Sequence, residues 1–327
     1  MFVDRNSTYT DYRIPAMVIS EKGTIFVAFE CRENQSDWAK IDIRIMKSID
    51  GGDSFQEINK IYGNGNTMNN PVFIAKGDVI HFLYCENYRK VFHIMSDDEG
   101  KSWSEPSEIT DIFGKLPHTV VAVGPGHGVV TPKGTMVTPV WLAYNPEDEF
   151  AHKPSYLVTI YSEDNGETWH CGDVIDNERL FDANETAIAL TKDGSVLLSI
   201  RNRHPEYRQR YWVLGPNGYS EWKHLGYDER FIDPRCMGSL CNGGGKIFFS
   251  NCESTEKREN LTVKICSDKF ESFDRVLFER ILIEKVNVSY SEVAYWNHCL
   301  YVLYETFEEC DGERINHRLH LKKIPIE

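Results

Sequence analysis

No stretch of this 327-residue chain approaches the ~20 consecutive apolar residues that a membrane-spanning helix requires. Its first residues, MFVDRNSTYTDYR, lack the apolar segment of a secretory signal, because Asp4 and Arg5 interrupt it at once. The expectation is a cytoplasmic protein of bacterial type, or a secreted one whose leader has been removed. Positive charge is scarce: 36 Lys and Arg face 50 Asp and Glu, for a net charge of −14. That balance disfavours nucleic acid as a partner, since binding a phosphate backbone needs a basic face. It also repels anionic small molecules at long range. Any anion site must therefore be a local cluster of cations. No C-x-x-C pair occurs among the nine cysteines, so neither a zinc knuckle nor a dithiol redox motif is indicated. An odd number of scattered cysteines reads as reduced, buried small hydrophobes. His317 and His320 lie in a polar segment where exposure is the simpler expectation, and no metal site is assigned to them.

What the chain has is repetition. Six segments share one form, an apolar strand, a short turn and a second apolar strand: RIPAMVISEKGTIFVAFECR, NPVFIAKGDVIHFLYCE, GHGVVTPKGTMVTPVW, ETAIALTKDGSVLLSIR, MGSLCNGGGKIFFSN and YSEVAYWNHCLYVLYE. The turns centre on Gly23, Gly77, Gly134, Gly194, Gly244 and Asn297, at intervals of 54, 57, 60, 50 and 53 residues. Glycine accepts positive φ without steric cost, as a tight hairpin demands. Each interval holds four short strands, the size of a propeller blade. The predicted fold is all-β, a six-bladed β-propeller forming one domain over residues 1–327. The final LHLKKIPI either pairs with an N-terminal strand or completes its own blade. A second repeat, S-x-D-x-G-x-[ST]-[WF], occurs at Ser48–Phe55, Ser96–Trp103 and Ser162–Trp169, with a degraded copy at Cys266–Phe273. Its aspartate suits a turn lock, accepting backbone N–H groups while the aromatic packs inward. One acidic anchor per copy falls short of the 6–8 oxygens that calcium takes.

In an antiparallel hairpin the first residue of one strand lies beside the last residue of the other. Inner strands line a propeller's channel, so these ends crowd one mouth. Reading them off places Arg13, Arg32 and Asp37 there from the first blade, and Asn70 and Glu86 from the second. The third adds His127, Trp141 and Tyr144, and the fourth Glu185 and Arg201. The fifth runs through Asn251 to Arg258, and the sixth brings Tyr290 and Glu305. Arginine offers forked recognition of a carboxylate. Several around one centre imply one small anion.

With these residues in place, the whole chain resembles the Asp-box sialidase superfamily (exo-α-sialidases, neuraminidases). YRIP resembles the family motif whose arginine opens a carboxylate-binding triad, which implies that role for Arg13. The resemblance makes Asp37, in CRENQSDWAKIDI, the acid/base, with Arg32 supporting it. NETAIALTKDGSVLLSIRNR resembles the hairpin that carries the family's glutamate and second arginine, implying Glu185 and Arg201. FSNCESTEKREN implies Arg258 as the third, with Arg235 and Lys257 close enough to compete. SYSEVAYW implies Tyr290 as nucleophile. GPGHGV and the NNP of Asn69–Pro71 also look familial, and Asn70 is placed among the substrate-binding residues.

The implied substrate is a sialylated glycan, with no metal or organic cofactor. Sialic acid carries a carboxylate on its anomeric carbon, which disfavours a second carboxylate as nucleophile. Sialidases use a tyrosine, a departure from the two-carboxylate rule of most glycosidases. A phenol with pKa near 10 needs a base, here Glu185. Asp37 must hold a proton to act as acid, so burial beneath substrate should raise its pKa. Two other outcomes stay open: a sialic acid-binding propeller without turnover, and a trans-sialidase or intramolecular trans-sialidase. The sequons at Asn184, Asn260 and Asn287 each lie within three residues of a site residue. Glycans there would obstruct the site, which favours a compartment without N-glycosylation.

Overall fold

The computed structural model describes residues 9–268 and 279–326. Each hairpin turn forms as its residue type demands, from Gly23 at φ 84° to Asn297 at φ 45°. The strands assemble into six sheets, antiparallel apart from one two-residue strand, so the fold is an all-β, six-bladed propeller. The first blade is Asp11–Ile19, Ile25–Arg32, Ile41–Ser48 and Gln56–Ile61. The inner strands of the next five are Met68–Lys76, the split pair Val120–Val123 and Val129–Val130, Thr186–Leu190, Ser239–Gly243 and Val288–Trp296. Between the two halves of the split strand, Gly126–His127 runs parallel to the second blade's inner strand.

The apolar residues collect into six clusters, one at each interface between neighbouring blades. Phe26, Phe73 and Phe82 lie between the first and second blades, and Trp212, Phe231 and Phe249 between the fourth and fifth. Burying each such side chain stabilises by about 1.5–3 kcal/mol. Tyr12, Phe29, Leu303 and Leu319 close the ring between the sixth blade and the first. Of the two placements open to the C-terminal segment, the chain completes its own blade: Glu313–Pro325 pairs with Cys299–Cys310. His317 is not exposed there. It is buried against Asp11, whose Oδ1 lies 2.7 Å from Nδ1. His320 meets Thr306 Oγ1 at 2.8 Å. Six of the nine cysteines are buried as thiols.

The three complete turn repeats act as locks. Asp98 Oδ1 accepts the N–H groups of Lys101 and Ser102, both at 2.9 Å, and Ser96 Oγ accepts that of Gly100 at 2.8 Å. Asp50 and Asp164 repeat the pattern with Ser54 and Thr168. Hydrogen bonds from the neighbouring serine and threonine hydroxyls hold all three carboxyls below their usual range. Each aromatic then reaches the interface with the preceding blade: Phe55 toward the sixth, Trp103 toward the first, Trp169 toward the second. The degraded copy is described only through Asp268, and its remaining residues lie outside the described ones.

Four residues expected at the site mouth are elsewhere. His127 sits on the opposite side, with Nδ1 bonded to the buried carboxylate of Glu292 from the sixth blade. The strand switch at Gly126–His127 turns it there. Glu86 bonds Asn66 Nδ2 at 2.9 Å, Tyr144 projects to solvent, and Asn251 is buried beneath the rim with Lys264 and Asp233. The His127–Glu292 pair spans the channel and ties distant blades together. Replacing His127 with alanine strands a buried carboxyl beside Ser239 alone, and is expected to lower unfolding free energy by about 3–5 kcal/mol in a urea titration. An unchanged midpoint would mean that another group already satisfies Glu292.

Candidate active site

The rim is built by a backbone device that two sequence motifs share. In YRIP, Ile14 takes φ 57°, a conformation a β-branched residue rarely adopts, and the strand bulges between Arg13 and Ala16. Glu305, fully buried in the sixth blade, accepts the Ile14 N–H at 2.6 Å and so holds the bulge. In NNP, Asn70 takes φ 57° at an equivalent bulge, and its N–H goes to the buried Glu30 at 2.9 Å. In both cases the following proline adds no further donor to satisfy. Each carboxylate also holds an arginine: Glu305 lies 3.5 Å from Arg13 Nη2, and Glu30 accepts from Arg32 Nε at 2.7 Å. Glu305 further accepts the Tyr290 N–H at 3.4 Å. One buried carboxylate thereby places both Arg13 and Tyr290.

These devices open a cavity of about 500 Å³ at the channel mouth. The eight residues to which the resemblance gave a catalytic or substrate-binding place all line it: Arg13, Arg32, Asp37, Asn70, Glu185, Arg201, Arg258 and Tyr290. Tyr290 donates its hydroxyl to Glu185 Oε1, and Arg201 Nη1 donates to the same hydroxyl at 3.0 Å. Arg201 also pairs with Glu185 Oε2. The guanidinium carbons of Arg13 and Arg258 stand 5.2 and 5.3 Å from the centre of the tyrosine ring. Arg258 is anchored to Ser289 Oγ at 2.8 Å. Of the three residues competing for the third arginine position, Arg258 is the one that lines the cavity. Arg235 turns instead to the carbonyl of His204 at 2.8 Å.

The electrostatics divide the site in two. Burial, and then the charge of Glu185, push the Tyr290 phenol above its ordinary value against the pull of three arginines. Burial alone would raise Glu185, but Arg201 beside it and the tyrosine hydrogen bond hold it below the usual carboxylate range. The pair is thus a neutral phenol bonded to an anionic acceptor. Across the cavity, Asp37 Oδ1 accepts from Arg32 Nη1 at 2.8 Å. Burial acts to raise Asp37, yet Arg32 and Arg13 outweigh it and hold the carboxyl at about 2. In the open cavity Asp37 is therefore ionised, and the rise expected of its pKa belongs to the carboxyl beneath substrate. Bound substrate has to change that balance. A carbon-detected NMR titration of the free protein should find Asp37 ionised down to about pH 2. Addition of a sialic acid analogue should move its midpoint upward. A midpoint that does not move would remove Asp37 as the acid.

Other lining residues were given no role at the site from the sequence: Tyr88, His152, Asn184, Arg203, Arg314 and His317. His152 belongs to the AYNPEDEFAHKPSY loop and packs against Trp38, Tyr88 and Trp141 at 5.7, 4.8 and 5.2 Å. Arg314 comes from the long last hairpin, which brings it beside Arg258 and Arg13. Arg210 lies behind the wall. It is fully buried and donates to the carbonyls of Ser199 at 2.6 Å and Cys236 at 2.7 Å, which fastens the strand of Arg201 to the next blade.

A propeller with these turn locks, and with arginines around a tyrosine–glutamate pair at one mouth, defines the Asp-box sialidase class of protein. The chain belongs to the BNR repeat-like domain family, which matches residues 63–302. It is 28% identical over 295 residues to human sialidase-3, covering 80% of this chain and 68% of that protein. It is 25% identical over 227 residues to a sialidase of Paraclostridium sordellii, covering 61% and 54%. The chain thus spans about half to two thirds of these relatives' length. In fold it is similar to the Hadza microbial sialidase Hz136, with TM-score 0.75 and 21% identity over 94% of this chain and 65% of that one. It is similar also to a leech intramolecular trans-sialidase complexed with 2,7-anhydro-Neu5Ac, with TM-score 0.76 and 16% identity over 97% and 68%.

Proposed function

We propose that this protein is a retaining exo-α-sialidase that releases terminal sialic acid from glycans through a tyrosyl-enzyme intermediate. The observation that carries the reading is the Tyr290–Glu185–Arg201 contact, facing Asp37 across one cavity that Arg13 and Arg258 also line. In this reading Arg13, Arg201 and Arg258 take the sialic acid carboxylate by forked hydrogen bonds. They are the local cationic cluster that an acidic protein needs to bind an anion. Asn70 and Arg32 bound the sugar and the acid. Glu185 removes the phenolic proton as the Tyr290 oxygen attacks the anomeric carbon. Asp37 protonates the departing glycosidic oxygen, and the bond from the anomeric carbon to the aglycone breaks. Water, deprotonated by Asp37, then displaces the tyrosine oxygen, which recovers its proton from Glu185. Two displacements at one carbon return the starting anomeric configuration.

Related proteins bearing the sialidase name, and their matching fold, support this reading. A protein that only bound sialic acid would need the arginines but not the tyrosine–glutamate pair. Asn184 is buried in the cavity wall, where a glycan has no room, which supports a bacterial or cytosolic source without N-glycosylation. Proton NMR of the products from 3′-sialyl-lactose tests the proposal. Early appearance of α-sialic acid, mutarotating later to β, is expected. Binding without product would leave a lectin-like protein, and a 2,7-anhydro product would mean intramolecular transfer.

A further inference from the structure

The rim of the fourth blade carries charges that the reaction above does not use. Arg179, Arg203, Arg208 and Arg235 gather there, in a protein whose net charge is −14. Among the described residues, none of the four pairs with a carboxylate. Arg208 and Arg235 donate to backbone carbonyls around His204, and Arg179 lies over the rings of Tyr207 and Tyr227 at 5.5 and 5.7 Å. Arg235 Nε is buried without a hydrogen-bond partner. Burial, and then the like charges of Arg208, Arg203 and Arg201, depress Arg235. Cations crowded together without counter-ions repel one another, and a chain with 50 acidic residues could have neutralised them. Such a cluster suits an anion supplied from outside.

The position says which anion. Arg203 lines the catalytic cavity, two residues beyond Arg201. His152 lies within electrostatic reach of both Asp37 and Arg203, so the lip at Arg203 neighbours the acid that faces the leaving group. Outside that lip, His204 packs between Phe181 and Tyr207 at 5.4 and 4.5 Å, and Phe181 is half exposed. A flat aromatic surface edged with arginines suits a sugar ring that bears a negative group. We propose that this rim holds the sugar from which sialic acid is cleaved, and favours aglycones carrying an anion: the carboxylate of a second sialic acid, or a sulfate ester. The proposal rests on the sialidase reading.

The test compares initial rates on three substrates: 3′-sialyl-lactose, an α2,8-disialyl-lactose and a 6-sulfated 3′-sialyl-lactose. The wild type is expected to favour at least one anionic aglycone by roughly tenfold in kcat/KM, the worth of a charge-assisted hydrogen bond. That preference should fade as sodium chloride is raised. Preference for the disialyl substrate alone identifies the carboxylate, for the sulfated one alone the sulfate, and for both a general anion site. The double variant Arg208→Gln/Arg235→Gln should lose the preference, its kcat/KM on the anionic aglycones falling to that on sialyl-lactose and no longer depending more steeply on salt. Equal kcat/KM on all three substrates, with equal salt dependence, would overturn the proposal even if the double variant does not fold. Absence of turnover on every substrate would instead sink the hydrolase reading. Calorimetric affinities of the three glycans, with their salt dependence, would then decide the anion site separately.

Discussion

Tyr290→Phe is expected to hydrolyse sialyl-lactose more slowly by on the order of 10³-fold or more, the scale seen when a nucleophile is removed from an intact site. The change deletes one oxygen. The ring remains in place, with Arg13 and Arg258 still about 5 Å from its centre. Glu185 keeps its ion pair with Arg201, so no buried charge is stranded. The stability cost should be near that of one lost hydrogen bond, about 1 kcal/mol. Affinity for a sialic acid analogue should persist, because the arginines do not depend on the phenol. The expected signature is therefore lost turnover with binding retained. In the wild type, a 2,3-difluorosialic acid should leave an adduct on the tryptic peptide containing Tyr290, and the variant should leave none. Hydrolysis at the wild-type rate by the variant, or an adduct on another residue, would rule Tyr290 out.

Arg201→Ala should damage binding and chemistry together. Nη1 of Arg201 touches both the tyrosine hydroxyl and the glutamate, and its fork faces the cavity. Losing one charged hydrogen-bonding partner of the substrate carboxylate should weaken binding by ~1.5–3 kcal/mol, roughly ten- to hundredfold. The chemical effect follows from the sign of the Glu185 shift. Arg201 is the main influence holding that carboxyl low against burial. Without it Glu185 stays protonated to higher pH and cannot take the phenolic proton. The acid limb of the kcat/KM profile should therefore move upward in pH. Arg201→Lys should restore part of that limb, since it supplies charge, but little of the affinity, since it lacks the fork. An alanine variant with unchanged affinity and an unmoved limb would remove Arg201 from the site.

Those two residues lie on one hairpin and one strand end that the sequence already marks. The reason is local. A six-fold recurrence of apolar strands about Gly23, Gly77, Gly134, Gly194, Gly244 and Asn297 dictates hairpins, and hairpin ends dictate which residues share a rim. The same reasoning misplaced His127, because it assumed an unbroken inner strand in the third blade. There the strand divides, and two residues cross to pair with the second blade, which carries the imidazole to the far side. It also left His317 in an exposed tail, although the last strand lies against the first blade and buries it on Asp11.

Composition and repeat thus determined by themselves that this chain forms a ring of six blades and gathers arginines, carboxylates and a tyrosine at one mouth, although Glu86 and His127, read to that mouth, lie elsewhere. Only the tertiary structure decided how those groups are charged and held. Glu30 reads in sequence as an ordinary strand residue and Glu305 as a carboxylate of the mouth; closing the ring makes them buried clamps on bulges 40 and 291 residues away. Arg210 alternates like any strand residue, and only the packing of two blades leaves it wholly enclosed between carbonyls. The resemblance offered Asp37 as the acid/base with Arg32 in its support, but not that this contact keeps the carboxyl ionised in the open cavity. The blade-four arginines are scattered over 57 positions, from Arg179 to Arg235, and the fold alone brings them to one lip. Local pattern sets strand and turn, because backbone geometry is decided within a few residues. Charge state depends on burial and on neighbours within a few ångströms, and in a propeller those neighbours come from other blades.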